Sequence, residues 1–343
     1  MDVYLQDQLV SGSNNSYPMK AYLDVLLGSN TGLKESFLQS QLYYKDSAIG
    51  IGDSDVSGGM NDGLRARNMF IKESRTFEMI GPLYTDISNL SRYLLNNMDF
   101  KIVLWTSNPN YHLISDAKGV IYQTKITHAQ LNVCYVYVSP HILIAHSKVL
   151  AENRPAIYPY RRSEIKKFSV GQGAYNFATE DIFLSQVPQQ IIICMTSAQA
   201  AAGALSLNPF NLKNYSINYL SVQVNGENLL STKPQTPRFG AGAGDGEFME
   251  SYLALQSFKL LRESEGNDIS RTDFQRGFTV FCYDIDHIHS SDPTNVKSYT
   301  RTGNVSCEMV FADPLPEAVN IFFYAQYNSE IRINKARGVE LIL

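Results

Sequence analysis

The side chains that could bind a metal ion are concentrated in one stretch of the chain, and they are Asp284, Asp286, His287 and His289. Carboxylates and imidazoles are common zinc ligands, and residues this close in sequence can converge on one ion. The stretch lies where an apolar strand pattern ends and a polar loop begins, and side chains in such a position are usually solvated. We therefore predict a solvated loop here and no metal site.

A second candidate site combines basic and aromatic side chains. Its basic residues are Arg161, Arg162, Lys166 and Lys167, and its aromatic residues are Tyr158, Tyr160 and Phe168. This composition is typical of surfaces that bind nucleic acid, but it also fits an exposed strand or ion pairs with a neighbouring subunit. The chain carries a net charge of −4 and no long basic run, so we expect no specific nucleic-acid binding.

The remaining motifs do not predict catalysis. His146 lies on the apolar side of a predicted helix, where we expect a half-buried structural histidine. The glycine-rich strings from Gly50 and Gly240 lack the G-x-G-x-x-G pattern and a following Lys-Ser or Lys-Thr, and their acidic residues repel phosphate. No nucleophile-elbow, zinc-protease or Walker motif is present. We predict no catalytic, cofactor-binding or metal-binding residue, and no enzyme activity.

The elements that would position these residues are mainly β-strands. Runs 303–311 and 318–328 carry apolar side chains at every second position, which predicts strands with one buried face. Runs 189–196 and 278–285 are apolar at both parities, which predicts strands covered on both faces, the second in the middle of a sheet. In run 216–226 the apolar parity changes, which predicts a β-bulge, and Asn-Gly at its end predicts a tight hairpin turn.

The first half of the sequence mixes helix and strand patterns. An amphipathic helix is predicted from Met19, with proline in its first turn and Gly28 at its end. Residues 50–63 are rich in glycine and acid and predict a mobile loop. Strands are predicted at 101–108, at 119–139 and from Ala156, and a helix is predicted after Ser139 with an apolar face that includes Ile142 and Val149.

Composition agrees with an all-β protein that has a few short helices. Apolar residues make up 44% of the 343 residues and charged residues 18%, and 21 Tyr and 17 Phe accompany one Trp. Four widely spaced cysteines lie inside predicted strands, and we expect them to be reduced core residues: Cys134, Cys194, Cys282 and Cys307. The first residues resemble no secretory leader and no run reaches the roughly 18 apolar residues of a membrane span, so we expect synthesis in the cytoplasm.

Several segments resemble a known family. Residues 208–226 (NPFNLKNYSINYLSVQVNG), 265–285 (EGNDISRTDFQRGFTVFCYDI) and 303–339 are similar to hexon-type capsid proteins of adintoviruses, Maverick or Polinton elements and related animal DNA viruses. Residues 35–47 (ESFLQSQLYYKDS) and 79–87 (MIGPLYTDI) resemble the same family, so the similar segments are distributed along the chain from residue 35 to residue 339. The order of the closing strands more distantly resembles major capsid proteins of large double-stranded DNA viruses.

The resemblance implies an all-β double jelly roll, in which two eight-stranded β-sandwiches lie side by side. We predict an N-terminal arm and mobile loop at 1–64, a first jelly roll at 65–187, and a second at 188–343 with a long insertion at 231–272 that forms an outer tower or loop. Residues 1–20 are the candidate for an arm inside the shell.

The function that the resemblance implies is that of a hexon-like major capsid protein in the virion of a double-stranded DNA virus. Three copies would form a pseudo-hexagonal capsomer, and capsomers would tile an icosahedral shell. The expected partners are two further copies in a homotrimer, neighbouring capsomers, a penton, and minor capsid or cement proteins. No cofactor is implied.

Two other function classes stay open. A β-sandwich that binds carbohydrate or a receptor would have a cupped site with aromatic and amide side chains. An enzyme using the aspartate and histidine stretch would contain stoichiometric metal.

Overall fold

The computed structural model describes residues 1–12, 16–229, 232–242, 244–258, 266–285 and 301–342. Its strands are β1 (Asp2–Leu5), β2 (Gln8–Ser11), β3 (Phe100–Val103), β4 (Ala156–Val170), β5 (Asn176–Phe183), β6 (Gln190–Ser197), β7 (Ile217–Val224), β8 (Arg238–Phe239), β9 (Gly246–Glu247), β10 (Val280–Asp284), β11 (Val305–Phe311), β12 (Val319–Ile333) and β13 (Val339–Ile342). Its helices are α1 (Tyr17–Gly28), α2 (Thr31–Lys34), α3 (Asp62–Ile71), α4 (Pro109–His112), α5 (Pro140–Ala151), α6 (Ala198–Gly203), α7 (Met249–Ser257) and α8 (Arg271–Gln275). The predicted class, mostly β-sheet with short helices, is confirmed.

Two antiparallel sheets face each other from β4 onward and form a jelly roll. One sheet has the order β4, β12, β6, β10, with β13 also pairing with the end of β12, and the other has the order β5, β11, β7. Gln235 extends the second sheet, because it exchanges both backbone hydrogen bonds with Leu220 of β7. We number β4, β5, β6, β7, the Gln235 position, β10, β11 and β12 from one to eight in chain order. Strands one, eight, three and six then share one sheet, and strands two, seven, four and five share the other. This is the double Greek-key connectivity of a jelly roll.

The strand patterns of this region are those that the sequence predicts. Every residue of β6 is buried, whereas β11 alternates between buried and partly or fully exposed side chains. The predicted bulge in β7 is confirmed, since Val310 pairs with Tyr219 and Phe311 pairs with Ile217. The Asn225-Gly226 turn is also confirmed. Both residues have positive φ, 54° and 80°, which a type I′ hairpin turn requires.

The position of β10 differs from its prediction. Among the described residues this strand pairs only with β6, and it therefore lies at the end of its sheet, not in the middle. Four of its five residues are nevertheless buried, because α7 packs against it. The part of the predicted insertion that the structure describes lies against the jelly roll, since Phe248, Leu255 and Phe258 belong to the main core. The described part therefore forms no outer tower, because its apolar side chains have a core to enter.

The outer face of β12 is buried too, although its polar side chains predicted an exposed face. Helix α1 begins with proline as predicted and contributes Met19, Leu23 and Leu26 to the main core. Tyr324 of β12 donates a hydrogen bond to Asp24 of α1, with an oxygen-to-oxygen distance of 2.9 Å. A helix packed over the sheet therefore covers the polar side of the strand.

Residues 1–12 form a sheet and are not a free arm. Strand β1 lies between β2 and β3, and Val3 and Leu5 are completely buried. They pack in a second core against Tyr158 of β4 and Ile331 of β12. Alternating apolar residues at the N-terminus thus complete a sheet, and the position of residues 1–20 inside a shell stays a prediction.

The loop at 50–63 is held by many contacts. Asp53 accepts hydrogen bonds from the backbone N–H groups of Asp55 and Met60, and Asn61 is fully buried. Ile51 enters the main core. The loop is therefore fixed to the body of the protein by its buried residues.

Pairing between strands crosses the position that we predicted as a boundary. Strands β4 and β5 precede residue 188 yet pair with β12 and β11 near the C-terminus. The jelly roll described above therefore begins at Ala156, about thirty residues earlier than predicted. A second jelly roll in the residues before Ala156 stays a prediction.

Three cysteines are buried and free as predicted, whereas Cys134 is exposed. Burial raises the pKa of the Cys194 thiol to about 12, which keeps it protonated and unreactive near neutral pH. Within the described ranges, no helix is both long enough and apolar enough to cross a lipid bilayer.

Candidate functional site

The predicted metal stretch lies mostly outside the described residues. Asp284 is the last residue of β10 and pairs with Gln190 of β6. Asp286, His287 and His289 fall between the described ranges. The ranges that the structure covers contain no group of three or more histidine, cysteine, aspartate or glutamate side chains placed to hold a metal. The prediction of a solvated loop stays a prediction.

The basic residues of β4 are occupied by contacts within the chain. The Arg162 guanidinium lies 4.3 Å from the ring centroid of Tyr327, and its Nη1 atom is 3.4 Å from a Glu164 carboxylate oxygen. Lys166 Nζ is 3.6 Å from the other oxygen of Glu164 and lies over the Phe183 ring. These contacts occupy Arg162 and Lys166 within the chain, on a strand whose residues are mostly half-buried. They leave Lys167 as the exposed member of the group.

Neither His146 nor the glycine strings form a site. His146 is exposed on α5 and not half-buried as expected. The backbone N–H groups of Asp55 and Met60 donate hydrogen bonds to the Asp53 carboxylate and lower its pKa. The carboxylate therefore already occupies the backbone donors that a bound phosphate would need. In the second string, the Gln275 side chain binds the backbone of Gly240, Gly242 and Gly244.

A buried polar network joins the N-terminal elements to the jelly roll. Lys20 Nζ of α1 lies 2.5 Å from an Asp86 carboxylate oxygen, and both side chains are nearly inaccessible to solvent. Asp86 also accepts hydrogen bonds from the backbone N–H and the hydroxyl of Ser163 in β4. Next to it, Asp24 accepts from Tyr324, and burial raises the pKa of Asp24 to about 6.

Sequence reasoning missed this network. Lys20 and Asp24 stand one helical turn apart beside the apolar stripe of α1, and that spacing is the only feature of the sequence that could have pointed to them. Their partners are distant in sequence, and nothing in the local pattern identifies Asp86 or Tyr324.

A cavity of about 400 Å³ lies between α1, residues 41–46 and residues 208–210. Its aromatic lining residues are Tyr22, Tyr43, Tyr44, Tyr84, Tyr111, Phe210 and Phe278. Tyr22 stacks on Phe210 with ring centroids 4.4 Å apart. The two amide side chains in the lining are already bound within the chain, because Gln41 donates to Tyr84 and Asn208 donates to Asp46.

The largest exposed apolar feature is the segment from Gly119 to Val138, which we call the apolar segment. Ile121, Tyr135 and Tyr137 are 89%, 81% and 99% exposed. The predicted strands do not form, and among the described residues the backbone of this segment makes no hydrogen bond to other backbone groups. Its strand-like pattern therefore pairs with no sheet within the described chain.

Helix α5, which follows the apolar segment, extends the same surface. Proline stands at its start as predicted, but Ser139 makes no capping hydrogen bond through its side chain. Ile142, Ile144 and Val149 are each more than 40% exposed, and Leu150 is the buried residue of the helix. The predicted apolar face of α5 is present and lacks a covering layer among the described residues.

Comparisons with known proteins give distant similarities. No family model matches the sequence. An uncharacterized protein of Caenorhabditis elegans is 21% identical over 347 residues, which cover 98% of this chain and 77% of that protein. A crystal structure of PBCV-1 VP54, fitted into a reconstruction of the virophage Sputnik, has 10% identity and a TM-score of 0.42, with 99% of this chain and 82% of that chain covered.

Two further solved structures are similar over part of this chain. The mavirus major capsid protein has 10% identity and a TM-score of 0.32, with 60% of this chain and 44% of that chain covered. A chain of the Sputnik virophage has 11% identity and a TM-score of 0.33, with 55% of this chain and 39% of that chain covered. This chain thus spans less than half the length of either of these two viral chains.

Proposed function

We propose that this chain is a major capsid protein of hexon type, a structural subunit that forms homotrimeric capsomers. The capsomers tile an icosahedral shell of a double-stranded DNA virus, together with a penton and minor capsid or cement proteins. The segment-by-segment sequence resemblance and the jelly-roll connectivity of residues 156–333 support this role.

One observation carries the proposal: an exposed apolar surface beside a closed sandwich. The apolar segment and α5 together place fourteen large apolar side chains at 37% to 99% exposure. Monomeric soluble proteins rarely leave large contiguous apolar surfaces uncovered. Burial of apolar area is worth about 25 cal/mol per Å², so covering these side chains by another subunit favours stable association.

The assembly state tests the proposal directly. We expect multi-angle light scattering on a sizing column to give a species of about 116 kDa, three times the 38.5 kDa of one chain. That species should persist over a hundredfold dilution. A monomer at every concentration would refute the capsid role.

A second candidate function, carbohydrate binding, has one supporting observation. The cavity beside α1 has the aromatic walls that a sugar-binding cup requires. Its two amide side chains are engaged within the chain, which leaves few groups to hydrogen-bond sugar hydroxyls. Specific binding on a glycan array, lost in Tyr22→Ala and retained in the surface variant Tyr93→Ala, would favour this function over the capsid role.

A further inference from the structure

Within the ranges that the structure describes, the jelly roll has one edge strand, β5, whose outer side lacks a backbone partner along its whole length. Strand β5 pairs only with β11 among the described residues. The other edges are at least partly covered: Gln235 bonds to β7, α7 packs on β10, and Asp86 bonds to the backbone of β4. An uncovered edge offers a row of backbone donors and acceptors to another strand.

The apolar segment supplies a strand of matching length. Residues 131–138 are eight residues long, as β5 is, and they are apolar except for Asn132. Leu131, Val133, Tyr135 and Tyr137 share one parity, and β-branched and aromatic residues of this kind favour sheets. Eight residues of strand span about 26 Å, so the whole of β5 could be paired.

The charges around the two strands are complementary. Residues 131–138 carry no charged side chain, and residues 117–130, which lead into them, contain Lys118, Lys125 and His128 and no acidic residue. Residues 171–187, which include β5, contain Glu180 and Asp181 and no lysine or arginine. The Glu180 side chain is exposed, and Asp181 also accepts from Asn304 at 3.4 Å. The acidic edge discourages pairing between two β5 strands and favours the basic segment.

We propose that residues 131–138 of one copy add as a strand to the open edge of β5 in a second copy. This inference rests on the proposed capsomer, and it names the contact that holds the capsomer together. The contact is heterologous, because a segment on one subunit meets a different surface on the next. A heterologous contact closes into a ring when the rotation between subunits is a third of a turn. Added backbone hydrogen bonds give affinity, and the alternating side chains set the register.

Cys134 makes the contact directly testable, because it is the exposed member of the four cysteines and lies within residues 131–138. We would introduce Ala178→Cys, Thr179→Cys or Glu180→Cys singly into the full chain and oxidise mildly. At least one variant should give covalent dimers and trimers on a non-reducing gel. Glu227→Cys, at the opposite edge of the same sheet, is the matched control and should give none.

Each other outcome of the crosslinking overturns the contact in a distinguishable way. Wild-type protein that crosslinks into dimers through Cys134 alone would show a twofold contact instead. A disulfide within one chain, seen as a faster-migrating monomer, would show that the segment covers its own β5. Trimers by light scattering with no crosslink in any variant would refute the strand contact and leave the capsid proposal standing, whereas monomers would refute both.

Charge reversal gives an independent measure of the same contact. Glu180→Lys should weaken association about fivefold at low salt, which is the upper range for one exposed ion pair, and less at high salt. Glu227→Lys makes the same change of charge at the opposite edge and should leave association unchanged. Equal effects of the two substitutions would indicate a general charge effect and would count against pairing at β5.

Discussion

The pKa of Asp24 predicts that one substitution in α1 stabilises the protein and changes how its stability depends on pH. Burial raises this pKa from 3.8 to about 6, although Lys20 and the hydrogen bond from Tyr324 act in the opposite direction. The folded protein therefore binds more protons than the unfolded chain between about pH 4 and pH 6. Its free energy of unfolding falls as pH rises through this window, and the loss is complete above pH 6.

The size of the effect follows from the shift. About two pKa units at 1.36 kcal/mol each give about 3 kcal/mol. Asp24→Asn removes the titrating group and keeps a carbonyl oxygen that can accept from Tyr324. We expect this variant to be more stable than the wild type by about 3 kcal/mol at pH 7.5 and nearly equal to it at pH 4.

The assay is chemical denaturation monitored by circular dichroism, at several pH values and one protein concentration. The matched control is Asp86→Asn, which removes the carboxylate that lies 2.5 Å from Lys20 and leaves Asp24 as the remaining acidic neighbour of that buried ammonium group. That variant should lose about 3–5 kcal/mol. The reasoning would be refuted if the difference in free energy of unfolding between Asp24→Asn and the wild type stayed constant from pH 4 to pH 7.5.

Three further predictions concern packing and backbone conformation. Phe323→Ala should cost about 3–5 kcal/mol in denaturant titration, because the ring is fully buried, whereas Phe37→Ala at an exposed site should change stability by less than about 0.5 kcal/mol. Gly277→Ala should lower the free energy of unfolding by about 3 kcal/mol, since φ is +87° and a Cβ would lie 2.5 Å from the buried Ile51. Gly173→Ala, at φ +82° in open space, should lower it by about 1 kcal/mol. Equal losses of stability in the two variants would contradict the steric argument. Deleting residues 1–12 should lower the melting temperature of the protein strongly, because β1 and β2 cover the N-terminal end of β4 and the C-terminal end of β12. An unchanged melting temperature would favour a free arm.

Much of the jelly roll could be predicted from local pattern. The strands β6, β7 and β11, the bulge and the Asn225-Gly226 turn follow from the alternation and type of neighbouring residues. The pattern also predicted strands at 119–138, and these do not form among the described residues. A strand needs a partner, and the side-chain pattern of one segment does not state which chain supplies it.

The junction between α1 and the sheet could not be predicted in the same way. Asp24 and Tyr324 are 300 residues apart, and their hydrogen bond exists because the helix packs over the central strand. The polar side of β12 predicted exposure to solvent, but Asn320 and Gln326 are both buried. Whether the polar face of a strand is exposed to water or buried depends on elements that are distant in sequence.

The sequence by itself determined the all-β class, most strand positions after Ala156 and the absence of a strongly basic surface, since these depend on residues close together in the chain. Only the tertiary structure decided that residues 1–12 complete a sheet, that β4 pairs with β12 across position 188, and that β5 is left as an open edge. These outcomes depend on which strands meet across long stretches of chain. Hydrophobic burial is non-directional, so any element that covers an apolar face is stabilised, and the arrangement of the whole chain determines which element lies there.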